Sequence, residues 1–268
     1  MADNFKIECC TSQSDQPEHS PQPNVVGRVA PRAPRAHSEL SVKNVPPNVS
    51  SSSDPWLLWQ LADSAFPAGS FGHSGGLEAA WQLGEITSSD SLETYARASL
   101  QQLTRASLPF VLDTHTASAR FQELDQLCDT FLSNHVANRG SRLIGKSFIV
   151  AAEQSFPSPA LTDLRRNARL AHFAPVFGVV ARLLELDRPS TARLFTFINL
   201  RGLLASAVRL GIIGPLEAQR LQFKLSPLAE TAAQNSLQFT TADIAHTSPL
   251  LDLWQGAHDR LYSRLFQT

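Results

Sequence analysis

The chain has 268 residues, of which 43% are hydrophobic and 18% charged, with a formal net charge of −1. A near-neutral balance excludes the basic face with which a nucleic-acid binder neutralises phosphates, and no apolar run approaches the ~18 residues of a membrane helix. The length suits one substantial core, and a charged fraction below the usual quarter suggests surface hidden in contacts with other chains.

Residues 1–53 are rich in Pro, Ser, Asn and Gln. They bury too little apolar area to offset their ordering entropy and read as a disordered tail, with Val25, Val26 and Val29 as a brief apolar exception, ahead of a folded domain over 54–268. The start of the chain lacks the apolar stretch of a signal peptide, and Asp3 and Glu8 argue against a transit sequence. Cys9, Cys10 and Cys128 show neither C-x-x-C pairing nor metal-ligand spacing. The expectation is a soluble, cytoplasmic protein without a disulfide framework or zinc site.

From residue 54 onward the signals are helical. Asp54 as N-cap and Pro55 in the first turn open a helix carrying Trp56, Leu57, Leu58, Leu61, Ala62 and Ala65, which Phe66-Pro67-Ala68-Gly69 stops. Leu77 to Leu83 reads as the next helix. Asp90 with Glu93 then gives a capping-box-like start for a helix to about Leu108. Amphipathic helices are predicted over Phe110–Leu132 and Ser133–Ala152, and a shorter one over Leu161–Leu170 beyond the Phe156-Pro157-Ser158-Pro159 break. The segment His172–Glu185 is apolar on every side from Phe173 to Leu184, except at Gly178 and Arg182, which places it in the middle of a bundle. Thr191–Leu210 follows, with a broad apolar face and a narrower stripe of Asn199, Gly202, Ser206 and Arg209 that permits close approach inside the bundle or across a dimer. Gly214-Pro215 opens a helix through Gln222, and Pro227 interrupts its continuation to Gln238. The last helix starts at Ser248-Pro249 and carries Leu250, Trp254, Ala257, Leu261 and Leu265 at steps of three and four, with Trp254 as packing. The fold class is all-α, a single helical bundle of about nine or ten helices.

The stretch Leu57 to Glu78 carries the densest chemical signal. Five of the chain's 13 glycines lie between Gly69 and Gly84, where the backbone needs positive φ or another surface approaches without a Cβ in the way. Gly72-His73-Ser74-Gly75-Gly76 is a literal G-x-S-x-G. A serine hydrolase would use Ser74 as nucleophile, with acid and histidine from among Asp243, Asp252, His246 and His258. An elbow requires a buried strand leading into the serine, whereas here helical periodicity flanks it on both sides. His73, His258 and Asp259 have side chains suited to nickel, yet nothing in their spacing joins them, and His73 is expected to bond the backbone of its own turn. Glu78 near a helix start either caps local N–H groups or serves a partner. Arg260 and Arg264, four apart in the predicted last helix, form either a solvated pair or a partner-facing fork.

Three blocks resemble one family. They are QLADSAFPAGSFGHSGGLEAA at residues 60–80, HFAPVFGVVARLL and FTFINLRGLLASAVRLGIIGP within 172–215, and SPLLDLWQGAHDRLYSRLFQT closing the chain. Together they are similar to the UreF urease accessory proteins, most of all the eukaryotic members, across 56–268. The resemblance implies a non-catalytic, dimerising helical scaffold. It would bind a UreD/UreH-type protein, recruit a UreG-type GTPase and promote nickel insertion into the urease apoprotein, binding no cofactor itself while its partners handle nickel and GTP. Carried over by residue, Phe71 occupies the aromatic turn position tied to GTPase recruitment, and Arg264 matches the basic residue near the end of the chain. Tyr262, Leu265 and Phe266 match the tail that docks on the UreD-type partner. With His73, Ser74, Glu78 and Arg260 they form the expected partner-binding set.

Overall fold

The computed structural model describes residues 54–67 and 70–268. The segment read as a disordered tail, with Cys9, Cys10 and the valines, lies outside the described residues, as do Ala68 and Gly69. Among those described the fold is all-α and contains no strand. Its helices are α1 (Pro55–Ala62), α2 (Leu77–Gln82), α3 (Ser89–Ala106), α4 (Leu108–Thr116), α5 (Phe121–Phe131), α6 (His135–Ser155), α7 (Pro159–Asn167), α8 (Phe173–Leu183), α9 (Arg188–Arg209), α10 (Pro215–Ser236) and α11 (Pro249–Ala257).

Local chemistry accounts for most boundaries. The Asp54 carboxylate accepts the Trp56 N–H while Pro55 fills the first turn, as expected. Helix α3 begins one residue before Asp90, because Ser88 and Ser91 form the capping box; Glu93 instead pairs with Arg97 and Lys224. The stretch expected as one helix over Phe110–Leu132 breaks at Ala117 into α4, a 3₁₀ turn and α5. In this Thr-His-Thr-Ala-Ser segment the Thr114 and Thr116 hydroxyls bond back to the carbonyls of Phe110 and Leu112, a use of Ser and Thr that weakens helix continuation. Pro227, by contrast, does not interrupt α10. The carbonyl deprived of its partner belongs to Phe223, which is 84% exposed, so water can replace the lost bond.

The largest correction falls on the last helix. It stops at Ala257, passes through a 3₁₀ turn at His258–Arg260 and leaves residues 261–268 as a bent, non-helical strap. Arg260 and Arg264 therefore do not share a helical face.

Two apolar clusters fill the bundle. The larger surrounds α8, whose residues Phe173 to Ala181 are all buried. Phe148, Phe173, Phe177 and Phe195 meet there, with Phe177 and Phe195 centroids 5.0 Å apart. Gly178 lets α8 lie against α4, since a Cβ would strike the Val111 carbonyl and the Thr114 hydroxyl. The second cluster joins Leu92, Tyr95 and Leu100 of α3 to Leu204 of α9 and Leu225 of α10, and Phe266 of the strap belongs to it.

Candidate functional site

The glycine turn ends at Gly75 and Gly76, whose φ values of +62° and +92° lie in the left-handed region. A Cβ on Gly76 would also come within 3.0 Å of the Gln255 backbone nitrogen, so glycine there lets α2 start against α11. The Tyr95 hydroxyl donates to the Gly75 carbonyl at 2.8 Å and fixes the turn on α3.

The strap docks on this turn through main-chain bonds. Gln267 N–H donates to the Gly72 carbonyl at 2.8 Å, and Ser74 N–H donates to the Thr268 carbonyl at 2.7 Å. The Ser74 hydroxyl also donates to that carbonyl, at 3.4 Å. Glu78, 1% exposed, accepts the N–H groups of Leu265 at 2.6 Å and Phe266 at 3.2 Å, and its Oε2 pairs with His258 Nε2 at 3.3 Å. A buried carboxylate is tolerable only when so satisfied, and charge-assisted bonds of this kind are stronger than neutral ones. This competition for the Leu265 and Phe266 amides is a physical reason for the strap leaving the helical path.

His73 bonds the Thr268 hydroxyl and not the backbone of its own turn, which corrects the sequence reading. Burial pushes its pKa down to about 4, assisted by the nearby charges of Arg139 and His258. Gly140 of α6 leaves the notch that Thr268 fills. Farther out, Asp259 pairs with Arg139 at 2.8 Å, His135 at 3.1 Å and Arg264 at 3.5 Å. Arg139 first, and His135 after it, hold the Asp259 carboxyl down at about 2. Arg209 of α9 lies between two rings, 3.8 Å from the Phe71 centroid and 4.2 Å from that of Phe266, and donates to the Phe71 carbonyl.

The fold thus gathers most of the expected partner-binding set, otherwise far apart in sequence, into one knot and sorts it into two groups. Ser74, Glu78 and Phe266 are buried in the chain's own interior and His73 is half-buried, so these hold the knot together. Phe71, Arg260, Tyr262, Arg264 and Leu265 are exposed, and Leu250 and Leu253 of α11 add 59% and 67% exposed apolar side chains. Sequence reading missed Arg209, Arg139, Gly140 and Thr268. Arg209 was visible only as a member of the narrow stripe of its helix, and Gly140 as an isolated glycine inside a helical pattern.

Catalytic readings find little support in this geometry. The Ser74 hydroxyl donates to the Thr268 carbonyl and not to a histidine, His258 pairs with Glu78 and Asp243 with Thr240, while His246 pairs with Asp252 at 2.9 Å. His73, His258 and Asp259 approach one another, yet no group of side chains arranged to hold a metal is found among the described residues.

Residues 86–226, which run from just before α3 into α10, match the model of the UreF family. The chain belongs to the UreF family. It is 35% identical over 224 residues to urease accessory protein F of Arabidopsis thaliana, covering 81% of this chain and 93% of the relative. To urease accessory protein F of Oryza sativa subsp. indica it is 34% identical over 240 residues, covering 86% and 92%. Against urease accessory protein UreF of Bacillus sp. (strain TB-90) the figures are 30% over 223 residues, 79% and 97%. The UreF match covers α3 to α9 and the first half of α10, whereas the glycine turn and the strap lie on either side of it. Among the described residues no helix is long and apolar enough to cross a membrane.

Proposed function

We propose that this UreF-family chain is a non-catalytic urease accessory protein, a scaffold that binds a UreD/UreH-type protein and with it recruits a UreG-type GTPase for nickel insertion into urease apoprotein in the cytoplasm. The observation carrying the reading is the family match together with relatives named urease accessory protein F over most of the chain. Surface chemistry supports it: Tyr262 is fully exposed, Leu265 and Phe71 are 54% and 69% exposed, and Arg264, between Tyr262 and Leu265 in sequence, is exposed as well. Aromatic and Arg anchors of this kind dominate protein interfaces. Nickel and GTP belong to the partners in this reading, and Ser74 serves structure through its bonds to the Thr268 carbonyl.

The chain is further proposed to act as a homodimer. Of the small-residue stripe of α9, Asn199 and Gly202 are half-buried and line a pocket, while Arg209 packs on Phe71 and Phe266. Light scattering of the purified chain at micromolar concentration tests that part directly.

The partner reading is tested by co-purification with UreD/UreH- and UreG-type proteins. Point substitutions are the appropriate tool, because removing the strap would strip Phe266 from the core and leave Glu78 buried without its main-chain donors. Tyr262→Ala with Leu265→Ser should abolish capture of the UreD/UreH-type partner while leaving the melting temperature unchanged. Undiminished capture and undiminished nickel content in the matured urease would refute the assignment.

A further inference from the structure

A pocket of about 310 Å³ opens to solvent between α3, α6, α8, α9 and α11. Helix α9 lines it with Asn199 and Gly202, two members of the narrow stripe visible in the sequence. Packing within the chain explains neither residue. A Cβ on Gly202 would meet nothing within 4 Å, so close helix approach does not require glycine there, as it does at Gly178. Glycine inside a helix is destabilising relative to alanine, and what it leaves at this position is open space in the pocket. Asn199 donates its side-chain amide to the Phe195 carbonyl at 2.8 Å, and its own carbonyl oxygen Oδ1 has no partner among the described residues.

Ser141 of α6, also in the wall, supplies a second acceptor. The Asp129 carboxylate can only accept, so His172 presents its Nε2–H to it at 3.0 Å and, kept neutral by burial, has a bare Nδ1. The Ser141 hydroxyl therefore donates to that nitrogen at 3.2 Å and accepts the Phe173 N–H at 3.2 Å, which leaves its oxygen one lone pair. Positive charge is missing from the wall. It contains no Lys or Arg, its one carboxylate, Asp252, is paired with His246 at 2.9 Å, and burial holds the His73 pKa down at about 4. Most of the remainder is apolar, including Leu100, Ile144, Phe173, Phe195 and Leu251. A charged molecule entering it would lose water without gaining a counter-charge. Mainly apolar walls with a few placed polar groups are the usual form of a small-molecule site.

We propose that this pocket binds a small neutral molecule with an apolar body and a hydrogen-bond donor, an alcohol or phenol, whose donor Asn199 Oδ1 and Ser141 Oγ receive and whose body occupies the space that Gly202 keeps clear. The proposal rests on neither the urease reading nor the homodimer, so it fails or holds independently of both.

Chemical-shift titration of the full chain tests it. Benzyl alcohol is the probe, toluene is the control without a donor, and benzoate is the charged control of similar size. A cavity of about 150 Å³ accommodates benzene, so all three fit. Benzyl alcohol should shift the Asn199 side-chain amide and the Phe195 and Gly202 backbone amides, with a dissociation constant in the ~millimolar range. Toluene should bind several-fold more weakly, and benzoate about tenfold more weakly or worse. Gly202→Leu puts a side chain into the open space and should abolish binding without lowering the melting temperature. Asn199→Leu should erase the preference for benzyl alcohol over toluene. No benzyl alcohol shifts at these residues, equal binding of benzoate, or wild-type affinity in Gly202→Leu would each overturn the site. If Gly202→Leu proves unstable, Asn199→Leu decides the matter: loss of the preference supports the site, and an unchanged preference refutes it. If the wild type takes up no benzyl alcohol and Gly202→Leu converts a dimer to a monomer in light scattering, the open space belongs to a contact between copies and the proposal fails.

Discussion

Around α8, Phe148, Phe173, Phe177 and Phe195 meet ring to ring, and the helix is buried from Phe173 to Ala181. Around the strap, a carboxylate, two imidazoles, an arginine and a set of main-chain amides hold together segments nearly the length of the domain apart. The first region is stabilised by apolar area removed from water, a non-directional effect that tolerates small shifts. The second depends on directional bonds to groups that would be costly if left buried and unpaired. A protein built this way has a bundle that persists and an edge that responds to single changes in charge.

The largest effect should come from breaking the first region. Phe177→Ala removes a ring that is 1% exposed and touches three other aromatic side chains. It should lower unfolding free energy by about 3–5 kcal/mol in chemical denaturation. Strap and bundle should then unfold together, because Phe266 is anchored in a cluster that shares α9 with the α8 core.

Next is Glu78→Gln, which removes the charge while keeping one amide oxygen as acceptor. The expected cost is about 1–3 kcal/mol, the scale of hydrogen bonds to charged groups. Unlike Phe177→Ala, it should raise hydrogen exchange at Leu265 and Phe266 far more than at α8. Uniform acceleration throughout would show that the two regions are a single cooperative unit.

The same contrast explains what could be read in advance. Apolar periodicity placed α8 at the centre of an all-α bundle, because a helix apolar on every face has nowhere else to go. The glycines at 75 and 76 announced the turn, since positive φ favours that residue. The end of α11 was misread: Leu261 and Leu265 keep helical spacing, and nothing local reveals that Glu78, nearly two hundred residues earlier, takes the amides of Leu265 and Phe266. The candidate site was therefore legible as a set of residues and illegible as a structure. Which members hold the knot and which face outward depends on tertiary partners such as Arg139, Gly140 and Arg209.

A smaller effect is expected from pH. His73 is neutral in the folded chain, its pKa pushed down from 6.5 to about 4 by burial first, with Arg139 and His258 adding to it. As pH falls the unfolded chain takes up this proton first. The His73 contribution is therefore intact above about 6.5 and is lost progressively toward about 4. His115 and His172 are also lowered by burial and add the same trend in every variant. The informative quantity is thus the difference between the wild type and His73→Asn, which cannot titrate. The variant should lose less stability between neutral and mildly acidic pH in urea titrations. An identical slope in the two proteins would mean that His73 is freely protonated in the folded state, and that the strap end is more open than its burial indicates.

The smallest effect concerns Arg209, where the two regions meet. It rises from α9, the helix shared by both clusters, and places its guanidinium between the rings of Phe266, which is buried, and Phe71, which is 69% exposed. A cation over aromatic faces at an exposed site contributes about 0.5–1 kcal/mol, so Arg209→Ala should barely move the melting temperature. Its consequence should be local, because the same side chain donates to the Phe71 carbonyl and so sets the position of the turn's exposed aromatic. Arg209→Lys sharpens the point, since it keeps the charge and loses the planar group that stacks on both rings. If planarity is what matters, Lys should resemble Ala, with faster motion of the Phe71 ring by NMR. If Lys behaves as wild type, the contact is one of charge alone, and Phe71 is held by the turn's own backbone.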